Sequence, residues 1–414
     1  MKNDLIQAMK MAIAHMDRWM VGQPGKMVHL FHHNDSDGLS SGAILTRAFE
    51  RRGFDVQRCC LEKTYPAVLK KIFEKTDQLI VFADFAGRIA PLISDLNQGR
   101  NLVLILDHHK ASPAIDNRVY NLDPELFGLR GDRDITASVT CYLFARAMDD
   151  RNHDLATIAT IGSVGDGFFK DGRLAGPNRE VALESQARGD LEISAHAGGE
   201  TYRLRTPRGW VPCEQIGTYL DTLGAAGYYQ GGPEMGIRVC LKGVSEISNQ
   251  MLAGLHAVQR CAFARESDRI RSDGMHLTEH IQWIHVQDRF VPMGVKMIGV
   301  FLSSIRKQVE QQPGLSPEKY LAGFQLVPNE VPGFGRIEIN QVKISMRVCT
   351  SLADKIRAGA APGMDTFLPE ATFRVDGFSD ACHSLAAATT VDAGQEEPLI
   401  SEMEKILSGN STNH

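Results

Sequence analysis

Four clusters of carboxylate and imidazole punctuate the first part of the chain. They are His32-His33-Asn34-Asp35-Ser36-Asp37-Gly38, Asp84 in FADFAG, Asp107-His108-His109, and Asp166 in GSVGDG. The first three each follow a short apolar run, at 27–33, 78–83 (QLIVFA) and 102–106 (LVLIL). If those runs are parallel strands, the clusters meet in the crevice beyond the carboxyl ends of the sheet, where open α/β sheets bind ligands. Carboxylates gathered there repel one another unless cations sit among them. Imidazole mixed with carboxylate, without thiolate, suits manganese, iron or cobalt better than structural zinc or an all-oxygen magnesium cage. The set is large enough for two ions, and ions roughly 3.5–4 Å apart are a common device for in-line phosphoryl displacement. Taken singly, Asp35 and Asp37 could be capping acids of the next helix, Asp84 a turn residue, and His108–His109 a surface pair. Three such clusters at three strand ends favour the metal reading. His32 is set aside because neighbouring side chains on a strand point to opposite faces.

The elements that must position these residues alternate. Strand-like runs at 27–33, 54–60, 78–83 and 102–106 are separated by helical spacing at 39–52, 65–75 and 88–97, and further helices are expected at 136–149 and 155–164. Continuously apolar strands between helices argue for a parallel sheet covered on both faces. Beyond Gly172 the signal weakens into glycine-rich turns, then 245–271 reads as one long connecting helix. Strand signals return in IHVQDRF, KMIGVFL, LAGFQLV and IEINQVKISMRV, followed by a helix near 352–357. The expected organisation is a metal-binding α/β domain over 1–185, a helical connector or insertion over 186–283, a smaller α/β domain over 284–395 and a polar tail over 396–414 with one short helix, SEMEKIL.

At 414 residues the chain exceeds what one hydrophobic core usually serves. With 43% hydrophobic and 23% charged residues it is an ordinary globular composition, not a disordered or fibrous one. No apolar run approaches the roughly 18 residues of a spanning helix, and charges inside the N-terminal apolar stretch argue against a signal peptide. A soluble cytoplasmic protein with no membrane association is therefore expected. The 8 cysteines are scattered without a C-x-x-C pair, which suggests reduced thiols. A formal charge of -5 is not the basic field of a protein that coats long nucleic acid. Arg203, Arg205 and Arg208 form only a modest basic cluster.

The order His33-x-Asp35-x-Asp37-Gly38, Asp84, Asp107-His108-His109, Asp166 resembles the DHH phosphoesterase superfamily over about residues 27–170. That superfamily includes RecJ-type exonucleases, oligoribonucleases, cyclic-dinucleotide phosphodiesterases and some pyrophosphate or polyphosphate hydrolases. The resemblance implies a mostly parallel catalytic sheet with helices on both faces. It implies one metal held by His33, Asp35 and Asp84, and another by Asp37, Asp84, His108 and Asp166, with Asp84 bridging. His109 would lie close to the scissile phosphate and Asp107 would orient a ligand histidine. Manganese is the expected metal, with cobalt or magnesium as alternatives. The segment 128–138 (GLRGDRDITAS) also resembles the family, which makes Thr136 or Ser138 a candidate phosphate donor and otherwise an ordinary helix cap.

The C-terminal half resembles the DHH-associated domain, which grips substrate beyond the scissile phosphate. Lys343-Ile344-Ser345-Met346-Arg347 matches its serine–arginine strand, and 380–388 aligns with its glycine-rich histidine loop, so Ser345, Arg347 and His383 are the implied substrate-binding residues. Where the family loop carries glycines this chain has Ala381, Cys382 and Ala388, and a Cβ there limits close backbone approach to phosphate. The implied activity is two-manganese hydrolysis of short oligonucleotides, dinucleotides or related nucleotides. The alternatives are a RecJ-like single-strand exonuclease, a pyrophosphatase or polyphosphatase, and a low-activity binding protein. A small phosphorylated substrate is the expected partner, and a homodimer is compatible with the sequence.

Overall fold

The computed structural model describes residues 2–23, 25–207 and 209–410, and the side chains of 379–381 and 410 are outside that description. Arg208 of the basic cluster falls outside it. Contacts divide the chain into two units, 1–253 with 332–335 and 254–331 with 336–414.

In the first unit, α1 (Lys2–Val21) precedes a repeating strand–helix pattern: β1 (Met27–His32), α2 (Ser36–Arg51), β2 (Asp55–Cys60), α3 (Pro66–Ile72), β3 (Leu79–Ala83), α4 (Ala90–Asn97), β4 (Leu102–Leu106) and β5 (Val119–Asn121). The five strands form a sheet of order β2-β1-β3-β4-β5, every pairing parallel. All residues of β3 and β4 are buried, as continuous Val/Ile/Leu strands must be when helices cover both faces. The register aligns His32 with Ala83 and Ala83 with Leu106. The next residue of each strand, His33, Asp84 and Asp107, therefore emerges in one row, on strands spaced by about 4.8 Å.

The unit continues with α5 (Ala137–Met148), α6 (Ala156–Asp166) and α7 (Gly176–Ala187). The stretch expected as glycine-rich turns is an antiparallel meander of β6 (Leu191–His196), β7 (Gly199–Thr206) and β8 (Gly209–Pro212). It leads into α8 (Cys213–Ala226) and α9 (Gly232–Lys242), both of which pack on α2. Residues 186–253, expected as a connector, thus lie in the first unit. The division falls within α10 (Glu246–Asp273), the long helix expected at 245–271.

The second unit is built on β9 (His276–Leu277), β10 (Ile281–His285), α11 (Met297–Gln311), β11 (Tyr320–Leu326), β12 (Glu330–Val331), β13 (Gly335–Arg336), β14 (Gln341–Arg347), α12 (Thr350–Arg357), α13 (Met364–Arg374), β15 (Phe378–Cys382), β16 (Ala386–Asp392) and α14 (Glu396–Asn410). Its main sheet has the order β15-β16-β14-β11-β10-β9. Two expectations change here. KMIGVFL, expected as a strand, is the start of α11. Its buried Met297, Ile298, Phe301, Leu302, Ile305 and Val309 continue at helical spacing, and a short apolar run cannot separate strand from buried helix. The tail, expected as polar with one short helix at SEMEKIL, is a longer helix whose Leu399, Ile400, Met403 and Leu407 join the core beside Phe367 and Phe324. Among the described residues no helix is long and apolar enough to cross a membrane.

Candidate metal centre

The turn after β1 delivers three of the expected ligands. Asp35 caps α2, its Oδ1 accepting from Gly38 N at 2.9 Å, while its Oδ2 lies 2.8 Å from His33 Nδ1. Asp37, in the first turn of α2, is only 1% exposed. Its two oxygens accept from the backbone N–H groups of Ala137 (2.8 Å) and Ser138 (3.0 Å). These donors belong to the N-terminus of α5, where the helix dipole favours an anion. Asp84 follows β3 at φ +67, a left-handed conformation that aspartate tolerates better than most residues.

Asp84 stands between two groups. Its Oδ2 lies 3.2 Å from His33 Nδ1, and its Oδ1 lies 3.5 Å from His108 Nε2. On the far side His108 Nε2 is 3.6 Å from Asp166 Oδ2 and 3.9 Å from Asp37 Oδ2. The ligand atoms of His33, Asp35 and Asp84 lie within 4.8 Å of one another, as do those of Asp37, His108 and Asp166. Each group could hold one divalent ion, with Asp84 offering one oxygen to each. All six residues proposed as ligands from the sequence thus come together, and Asp166 arrives as the last residue of α6.

The electrostatics agree with a cation site. Burial, then the charges of Asp35 and Asp37, push the Asp84 carboxyl well above the usual range. Burial likewise raises Asp37. Burial opposes charge on His108, yet its hydrogen bond to Asp84 and the charges of Asp166 and Asp37 hold its imidazole well above its ordinary value. Without metal the site therefore retains protons that divalent ions would replace. Mixed imidazole and carboxylate donors, with no thiol in either group, fit manganese-type ions.

His108 and His109 have different tasks. His108 Nδ1 donates to Gly131 O at 2.7 Å, which leaves Nε2 facing the carboxylates. Gly131 must be glycine, because a Cβ there would fall 1.4 Å from the His108 carbonyl oxygen. His109, with 52% of its side chain exposed, donates through Nδ1 to Asp107 Oδ1 at 2.7 Å. Its Nε2 is left for the open side. Asp107 is buried and also accepts from Gly87 N and His108 N, at 2.8 Å each. Burial alone would raise its carboxyl, but the charge and hydrogen bond of His109 hold it well below the usual range. His32, set aside from sequence, packs against Gly42 and donates to the His33 carbonyl at 2.9 Å. Burial lowers its imidazole to about 4 and keeps it neutral.

Sequence reasoning missed Gly131, whose contribution is a carbonyl, and Asp123. Asp123 is fully buried, its Oδ2 has no partner, and burial and the charge of Asp107 push its carboxyl up to about 8. Thr136 and Ser138, candidate phosphate donors, are fully buried. Thr136 Oγ1 bonds Ser163 Oγ, and Ser138 Oγ donates to Ala159 O. Thr136 takes the N-cap position of α5 without a side-chain cap bond, and Ser138 lies in the helix's first turn.

In the second unit, Lys343, Ser345 and Arg347 share one face of β14 by strand alternation, opposite the core residues Val342, Ile344 and Met346. Arg347 Nε donates to Ser303 Oγ at 3.1 Å and Nη1 to Met346 O at 2.8 Å. No carboxylate pairs with it among the described residues, and burial, with the Arg306 charge adding, lowers its guanidinium. The expected histidine loop is a β-hairpin. His383 is exposed at its turn, and Ala386 of the same hairpin stands opposite Arg347 in the sheet register.

Residues 27–163 match the model of the DHH family, N-terminal domain, a span that contains His33, Asp35, Asp37, Asp84 and His108. An uncharacterized protein of Methanocaldococcus jannaschii is 32% identical over 167 residues, 38% of this chain and 37% of that protein. The match therefore spans little more than a third of the relative. RecJ from Thermus thermophilus in complex with Mn2+ shares the fold at a TM-score of 0.58 and 16% identity, over 97% of this chain and 55% of that one. An exonuclease RecJ bound to manganese gives 0.56 at 16% identity, over 97% and 94%. The DHH domain of a member of the S1p family of ribosomal proteins gives 0.59 at 14%, over 98% and 91%. The ligand order and the parallel sheet agree with the family match, so residues 27–163 carry a domain of the DHH family's N-terminal type.

Proposed function

We propose that the chain is a two-metal phosphodiesterase that hydrolyses short oligonucleotides, dinucleotides or related nucleotides, with manganese as the working ion. The observation that carries this reading is Asp84, which offers Oδ2 to one ligand group and Oδ1 to the other. When bound, two divalent ions would activate water at neutral pH and neutralise charge on the phosphoryl oxygens. The protein's own groups supply the rest. Asp35, Asp37 and Asp166 fix where the ions sit. As the imidazolium, His109 would pass a proton from Nε2 to the leaving oxygen, its charge stabilised by the Asp107 carboxylate that accepts from Nδ1. Arg347 and Ser345 take a phosphate of the substrate: a half-buried guanidinium with no carboxylate partner among the described residues has unmet capacity for an anion.

The test is hydrolysis of a panel of dinucleotides, short oligonucleotides, pyrophosphate and polyphosphate with manganese present. Preferred cleavage of the nucleotide diesters supports the proposal, and manganese binding without cleavage of any member refutes it. The fold similarity to RecJ over nearly the whole chain favours exonuclease action on single strands as the second reading. A steep loss of binding between about 50 and 200 mM salt would decide for it.

A further inference from the structure

Three of the proposed ligands, His33, Asp35 and Asp37, share one short turn. The residues between them, Asn34 and Ser36, are 0% and 2% exposed. What holds them is α8, from the stretch 186–253 to which the ligand pattern assigns no chemistry. Ser36 N, one of the first-turn donors that a helix cannot satisfy itself, donates to Asp221 Oδ1 at 2.7 Å. Asn34 Nδ2 donates to Gly224 O at 3.1 Å and to Glu62 Oε1 at 3.3 Å. Gly224 allows this approach, since a Cβ there would lie 1.6 Å from the Asn34 carbonyl oxygen. Just beyond the helix, Tyr228 OH donates to Cys60 O at 3.1 Å and accepts from Glu62 N at 3.3 Å. The segment 221–228 therefore grips the backbone at the ends of both β1 and β2.

We infer that α8 is a clamp on the ligand turn and that Asp221 is its positioning residue. It acts on Asp35 and Asp37 through the Ser36 backbone and touches neither ion nor substrate. The inference rests on the two-ion reading of the site. Without the Asp221 acceptor the first turn of α2 loses an anchor, and the two carboxylates lose their fixed aim. Removing an outer hydrogen-bond partner of a metal ligand typically costs 10–100-fold in metal affinity.

Manganese binding to the full chain, measured by titration calorimetry beside the metal-free melting curve, tests this. Asp221→Ala should weaken manganese roughly ten- to a hundredfold while still melting in one transition. Asp221→Asn should stay close to wild type, because its amide oxygen still accepts from Ser36 N. If Asp221→Ala does not fold, Asp221→Glu keeps the charge but shifts the acceptor, and it too should weaken binding. Wild-type affinity in a folded Asp221→Ala or Asp221→Glu overturns the inference. So does an Asp221→Asn as weak as the alanine variant, which would make charge rather than the hydrogen bond the cause. If wild type itself binds no manganese, the two-ion reading has failed first.

Discussion

Replacing Asp84 by asparagine should move metal binding and metal-free stability in opposite directions. Asp84 is 2% exposed, and its oxygen lies within 4.8 Å of the ligand atoms of His33 and Asp35. Two unit negative charges at that separation cost about 3 kcal/mol at an effective dielectric constant near 20, and Asp37 adds a second repulsion of the same sign. The metal-free site avoids this only by keeping protons. For an acid raised in the folded state, stability falls as pH climbs above the unfolded value. Asp84→Asn removes the group under most strain, so at pH 8 the metal-free variant should be at least as stable as wild type. The asparagine amide keeps one oxygen and carries no charge, so one ligand group loses its Asp84 oxygen and both lose the negative charge; manganese should therefore stabilise the variant far less. For wild type at a hundred times Kd the expected gain is about 2.7 kcal/mol. Urea melts with and without manganese read both quantities. A variant that keeps the full manganese stabilisation would refute the bridging role. One that loses several kcal/mol without metal would refute the repulsion.

Three further outcomes are expected. Gly131→Ala sets a Cβ 1.4 Å from the His108 carbonyl oxygen, a clash of backbone with side chain that should cost about 3 kcal/mol or more in denaturant unfolding. Asp123, at about 8 in the folded protein, keeps a proton that the unfolded chain loses near 3.9, so it costs stability as pH rises through that window. Asp123→Asn should therefore gain on wild type in Tm at pH 9 and not at pH 4. Arg347→Ala should raise KM, by an amount equivalent to roughly 1.5–3 kcal/mol, with little loss of kcat. A fall confined to kcat would place Arg347 elsewhere in the reaction.

Much of the catalytic unit was legible because its signals are local. LVLIL and LIVFA are apolar throughout, as strands between two helical layers must be, and each is followed at once by its functional residue. A parallel sheet brings such strand ends together, so convergence could be argued from order alone. The second unit was less legible. KMIGVFL is too short an apolar run to choose between strand and helix, and only the continuation to Val309 settles it. SEMEKIL reads as a short helix in a polar tail, and only packing shows that Met403 and Leu407, with Leu399 just before it, close the core.

The types of residue at the strand ends by themselves pointed to a pocket of carboxylate and imidazole that could take ions, while the sharing of ligands between two ions came from the family resemblance. Only the tertiary structure decided how those side chains are held. The Gly131 carbonyl behind His108 and the Asp221 carboxylate on Ser36 N are ordinary residues in sequence. Every residue carries a backbone donor or acceptor, so which distant partner meets it depends on packing between elements and leaves no mark in the order of residue types.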